Sequence, residues 1–168
     1  CELAFDFPLR IKELNETDSV LELFHGPTFA FKDFAARFMA RTMSYFLENK
    51  DDELTILVAT SGDTGSAVAN GFFNIDGINV IILYPSNRVS AIQENQLTTL
   101  GGNITALEID GSFDDCQRMV KAAFQDIDLQ NRLSLSSANS INMARLLPQS
   151  VYYAWAWKQY ANNETVIF

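Results

Sequence analysis

Hydrophobic residues in this chain switch between continuous runs and helical spacing, and the switches divide it into strands and helices. Leu54-Thr55-Ile56-Leu57-Val58-Ala59 is a near-continuous apolar run between polar turns, as expected of a strand buried on both faces of a parallel sheet. Val80 to Tyr84 repeats the pattern and stops at Pro85. Ile104 to Ile109 is a weaker third strand, and Thr165 to Phe168 begins another. Helical spacing fills the gaps. Phe31, Phe34, Ala35, Phe38, Met43, Phe46 and Leu47 fall near the 3.6-residue period and predict a core-packed helix from Phe31 onward. Ser90 to Leu100 predicts a second helix, stopped by Gly101-Gly102, a pair suited to a left-handed helix end. Ser112-Phe113-Asp114-Asp115 opens another with an approximate capping box. The last and longest helix is expected over Ile141 to Tyr160, with Pro148 kinking it or bounding its first turns. The alternation predicts one α/β unit.

Composition narrows the function classes. With 168 residues, 48% of them hydrophobic, the chain can form one domain burying about 70% of its unfolded surface. Its formal charge of -9 argues against nucleic acid, whose binding depends on phosphate neutralisation. A small phosphate ester remains compatible, because a local arginine and helix N-termini outweigh a diffuse field screened over ~8 Å. No apolar run approaches the ~20 residues of a membrane span, and Cys1-Glu2-Leu3-Ala4 does not open a secretory signal. Two cysteines, Cys1 and Cys116, make a disulfide framework improbable, and a reducing cytoplasm is the expectation. Cys116 reads as a buried thiol. No metal site is expected, since His25 is the single histidine and reads as a turn residue rather than a general base.

Three segments carry candidate chemistry. Lys32 follows the Gly26-Pro27 turn and opens the first predicted helix, where the helix dipole and partial burial favour a neutral, nucleophilic amine. The adjacent Asp33 is expected to act in the opposite sense by favouring the ammonium. The turn Ser61-Gly62-Asp63-Thr64-Gly65-Ser66 joins a buried strand to a helix-compatible Ala67-Val68-Ala69-Asn70. Hydroxyls and free N–H groups at the carboxyl end of a parallel strand form an anion cradle. The turn lacks both a Walker ending and a dinucleotide fingerprint. Alone, it reads equally as a capped strand-to-helix turn. In the third segment Arg145 follows Asn139-Ser140 by one helical turn or so and can share an anion with them. The competing reading makes Asn139 and Ser140 helix caps and Arg145 a solvated helix residue.

His25-Gly26-Pro27-Thr28-Phe29-Ala30-Phe31-Lys32-Asp33 resembles the lysine segment of the threonine synthase family of fold-type II pyridoxal-phosphate enzymes. Ala59 to Ala67 resembles that family's substrate loop, and Ser137 to Leu147 its phosphate-recognition segment. The three stand in family order within a resemblance running from about Leu23 to Tyr160. It implies a three-layer αβα fold with a mostly parallel sheet, of the tryptophan synthase β-like type and corresponding to its small-domain region. It also implies pyridoxal 5'-phosphate as cofactor and O-phospho-L-homoserine as substrate. Lys32 would be the cofactor-linking and catalytic residue, with Asp63 facing the cofactor ring. Ser61, Gly62, Asp63 and Thr64 would hold the substrate carboxylate. Thr64, Asn139, Ser140 and Arg145 would stabilise the departing phosphate. Related families often carry asparagine where this chain has Asp63, which weakens the inference of a direct bond to the ring hydroxyl.

By the same resemblance, residues 20–160 form the lysine- and substrate-binding domain of a larger enzyme. Residues 161–168 would start the strand leading to a glycine-rich loop that grips the cofactor phosphate beyond this chain, so the chain is expected to be a fragment. Two other readings stay open. One is a different fold-type II enzyme, such as a dehydratase or sulfhydrylase; the other is a non-catalytic module that binds phosphorylated metabolites.

Overall fold

The computed structural model describes residues 3–48, 53–139, 142–160 and 167–168. A hairpin of β1 (Arg10–Glu13) and β2 (Ser19–Glu22) comes first, followed by α1 (Lys32–Leu47), β3 (Leu54–Ala59), α2 (Asp63–Phe72), β4 (Ile78–Pro85) and α3 (Ala91–Thr98). The chain continues through β5 (Ile104–Ile109), α4 (Phe113–Gln125), α5 (Ile127–Arg132), β6 (Ser134–Ser136) and α6 (Met143–Tyr160). The four-stranded sheet has the order β5-β4-β3-β6, and every pairing in it is parallel. All the βα turns therefore open at one end of the sheet.

Both faces of the sheet are covered, which explains why the central strands read as continuous apolar runs rather than alternating ones. Ile56, Val58, Val80 and Ile82 face a core built with Met39 and Ala40 of α1, Val68 and Phe72 of α2 and Leu97 of α3. Leu57, Ala59 and Leu83 point the other way and meet Cys116 and Val120 of α4. This is the expected three-layer αβα arrangement. Fully burying a side chain such as Phe72 or Met39 contributes about 1.5–3 kcal/mol, so the double-sided core accounts for much of what holds the layers together.

The strands expected over Leu54–Ala59 and Ile104–Ile109 are observed as such, and the second extends to Ile78–Pro85. Ser90 and Ser112 both cap their helices, each with a reciprocal box completed by Gln93 and Asp115. Gly101 and Gly102 both have positive φ after α3. Cys116 is a free, fully buried thiol pushed above its ordinary pKa by burial.

Three expectations need correction. The core face of α1 is Phe34, Ala35, Ala36, Met39 and Ala40, while Phe31 and Phe46 are exposed. Phe31 stands at the cap rather than in the helix, and Phe46 emerges where α1 passes beyond α2. The final helix begins at Met143, where Asn142 accepts from the Ala144 N–H at 2.9 Å, so Asn142 serves as the cap assigned to Asn139 and Ser140. Helix α6 also runs through Pro148, which lies on its buried face with Arg145, Tyr152 and Ala156. Cys1, Ser140, Ile141, Thr165 and Val166 lie outside the described residues, and with them most of the strand expected at 165–168.

Candidate functional site

The lysine is presented by a strained turn. Phe29 has a left-handed backbone, φ 59°, with its ring exposed, a conformation that costs a non-glycine residue about 1–2 kcal/mol. Asp33 offsets that cost. Its carboxylate is completely buried and accepts from the Thr28 N–H at 2.9 Å and the Thr28 hydroxyl at 2.5 Å. Burial pushes its pKa up, against these bonds, which pull it down. A Cβ on Gly26 would lie within 3 Å of this carboxylate, so the glycine is required by close approach. Asp33 is thereby turned away from its neighbour and cannot be the lysine's counter-ion.

That partner is Asp63. Lys32 Nζ lies 3.5 Å from Asp63 Oδ2, with about a fifth of the lysine side chain exposed (22%) and half of the aspartate's (54%). The ammonium also stands over the Phe31 ring, 5.4 Å from its centroid. Parallel strands place β3's carboxyl end beside the start of α1, so the lysine and the Ser61–Ser66 turn share one mouth.

In that turn Thr60, a residue the sequence reading passed over, organises the backbone. Its buried hydroxyl accepts from the N–H groups of Gly62 at 3.0 Å and Gly65 at 2.8 Å. Two donors of the expected cradle are thus already occupied. The N–H groups of Asp63 and Thr64, the first two of α2, have no intrahelical acceptor available and are joined there by the exposed Ser61 and the half-buried Thr64. Gly62 contributes shape instead: at φ 143° it has no side chain where the Gln93 amide passes. Gln93 Nε2 donates to Asp63 Oδ1 at 2.7 Å, a contact across 30 residues for which the sequence held no local signal beyond the Ser90-x-x-Gln93 box.

The third segment leaves β6 at the same end of the sheet, because β6 runs parallel to β3. Arg145 is 1% exposed, which removes the solvated reading. Its Nη1 donates to the Ala138 carbonyl at 2.6 Å, and its buried Nε has no acceptor. Desolvation pulls its pKa down, and among the described residues no carboxylate pairs with it. Asn139 lies one residue from the carbonyl that Arg145 holds, and its N–H donates to Ser137 Oγ. Ser140 falls outside the described residues. No contact joins Arg145 or Asn139 directly to Lys32 or Asp63; what connects the two halves is the packing of α6 on α1, with Tyr152 edge-on to Phe34 at 5.4 Å. His25 Nε2 meets Glu22 Oε2 at 2.7 Å on the hairpin side of the mouth. Among the described residues no group of His, Cys, Asp or Glu is placed to hold a metal, and no helix is long and apolar enough to cross a membrane.

These donors fit the linking end of an aldehyde cofactor. A primary amine is held at the carboxyl end of parallel strands, half-shielded, beside a carboxylate that keeps it from wandering. Residues 19–166 match the family described as "Pyridoxal-phosphate dependent enzyme". The threonine synthase of Haemophilus influenzae is 51% identical over 150 residues, 89% of this chain and 35% of that protein. Among solved structures, the PLP-bound threonine synthase from Brucella melitensis superposes with TM-score 0.86 at 45% identity, over 94% of this chain and 34% of the other. The Escherichia coli threonine synthase gives TM-score 0.86 at 50% identity, over 94% and 36%. The chain spans about a third of the length of the relatives it matches. A lysine, a cradle and a sheet end in this relation, over nearly the whole sequence, make this chain a member of the pyridoxal-phosphate-dependent enzyme family.

Proposed function

We propose that the protein is a threonine synthase, converting O-phospho-L-homoserine and water to L-threonine and phosphate in the cytoplasm, with residues 20–160 forming its lysine- and substrate-binding region. The observation that carries this reading is Lys32 Nζ facing Asp63 across the mouth at the carboxyl end of β3. The names of the relatives, at about half identity, support the substrate assignment.

Bound through the Lys32 amine, the cofactor supplies an electron sink for the pair left at the substrate Cα. The remaining work belongs to this chain. Lys32 Nζ, displaced from the cofactor by the substrate amine, takes the Cα proton. Asp63 keeps that nitrogen over the mouth and presents its other face toward the ring. The substrate carboxylate is held by Ser61, by Thr64 and by the N–H groups at the start of α2, where the helix dipole favours an anion; Asp63 contributes here through its backbone, since its carboxylate would repel the ligand. Gly62 leaves room for these contacts. At the other end Thr64, Asn139, Ser140 and Arg145 stabilise the departing phosphate, where negative charge accumulates. The unpartnered Nε of Arg145 and the lack of a carboxylate beside it support that role.

The test uses the full-length protein with pyridoxal 5'-phosphate. Borohydride reduction should fix a pyridoxyl group on the peptide carrying Lys32, Lys32→Ala should abolish it, and inorganic phosphate should be released from O-phospho-L-homoserine. A label on Lys121 instead would overturn the lysine assignment. Turnover of serine or threonine with none of O-phospho-L-homoserine would select the dehydratase reading.

A further inference from the structure

The side chain of Gln93 is fixed at both ends. Its Oε1 accepts from the Ser90 N–H at 3.1 Å and the Ser90 hydroxyl at 3.0 Å, and its Nε2 donates to Asp63 Oδ1 at 2.7 Å. The first two contacts complete the capping box of α3. A capping box needs only an acceptor at this position, and glutamate serves as well as glutamine. The amide nitrogen is superfluous to the cap and is directed instead at another element. Gly62 is shaped to let it through, since any side chain there would overlap the Gln93 amide. The carboxylate so gripped is the one that meets Lys32 through its other oxygen, at 3.5 Å.

From this geometry we infer that Gln93 is a positioning residue: it orients the Asp63 carboxylate against the Lys32 amine, tying the start of α3 to the start of α1. The inference rests on the proposed role of Lys32. Holding one carboxylate oxygen with a neutral donor leaves the other directed at the amine. A glutamate at the same place would keep the cap but set a second carboxylate against the first, which like charges at this distance disfavour.

Gln93→Glu therefore separates capping from positioning. In the full-length protein it should keep the wild-type thermal midpoint, because the cap is retained. It should lower kcat by about tenfold or more while leaving KM within about twofold, the pattern of a misplaced reacting group. In the cofactor-free protein, acetic anhydride labelling of Lys32 at fixed pH, measured against Lys121, should fall by about threefold, since a second carboxylate holds the ammonium. Gln93→Met, of similar size and without the donor, should reproduce the kcat loss and covers the case in which the glutamate variant does not fold. Wild-type kcat and wild-type Lys32 labelling in Gln93→Glu would reduce Gln93 to a cap and overturn the inference. If the wild-type protein releases no phosphate from O-phospho-L-homoserine, the proposed function fails instead, and the labelling still decides whether Gln93 governs Lys32 through Asp63.

Discussion

Arg145 shows how one residue can be recognised correctly and still be placed wrongly. Its distance from Asn139 suggested an arginine reaching outward to an anion; in the structure it is buried and holds the Ala138 carbonyl. A buried guanidinium with one bond and no carboxylate is expensive to the fold, since its charge is desolvated without compensation. Replacement by an apolar side chain of similar volume should therefore be tolerated: Arg145→Met is expected to change the stability of the full-length protein by less than about 1.5 kcal/mol. The same variant should raise KM for O-phospho-L-homoserine by about tenfold or more, through loss of a charge-assisted contact, with cofactor absorbance unchanged. Urea unfolding alongside steady-state kinetics separates the two effects. A large stability loss with unchanged KM would make Arg145 a structural strut. Lys32 and the Ser61–Thr64 turn were legible because each depends on local chain direction. Gln93 and Thr60 were not, because their roles lie in contacts that no nearby spacing encodes.

At the scale of elements, the position of the site depends on how closely α1 and α2 approach. Gly71, near the end of α2, is where they touch: a Cβ there would stand 2.9 Å from the Ala36 carbonyl carbon and 3.1 Å from its oxygen. Alanine is favoured over glycine in a helix by about 1 kcal/mol, so propensity alone predicts that Gly71→Ala stabilises. The contact is with backbone, which cannot swing aside, and overpacking of this kind costs about 1–3 kcal/mol. We expect a net loss, read as a lower urea midpoint, and with it a lower yield of pyridoxyl label on Lys32, because α1 carries the lysine. A raised midpoint would show that the two helices part without disturbing the mouth. Strand positions were readable at this scale because burial on both sheet faces writes itself into sequence as unbroken apolar runs. The hairpin β1–β2 and the short β6 were not, for the opposite reason: their residues are mostly exposed or half-buried and carry no apolar pattern.

For the whole molecule, the α/β alternation was sufficient to give the layers, while the sheet order required the structure, since β6 joins β3 from far along the chain. That order has a consequence in time. Leu54 pairs with Ile78 across one helix, and Val80 with Ile104 across another, but Leu54 also pairs with Ser134 across most of the domain. Closing the longer loop costs only about 1 kcal/mol more in entropy, yet distant pairings form later than near ones. Pulse-labelled hydrogen exchange during refolding should protect β3 and β4 before β6, and simultaneous protection would refute the order. The amine end of the mouth is thus assembled early, from neighbours in sequence, and the arginine end is delivered last, when α6 swings in behind β6. A newly made chain passes through a stage in which it can meet an aldehyde before it can grip a phosphate.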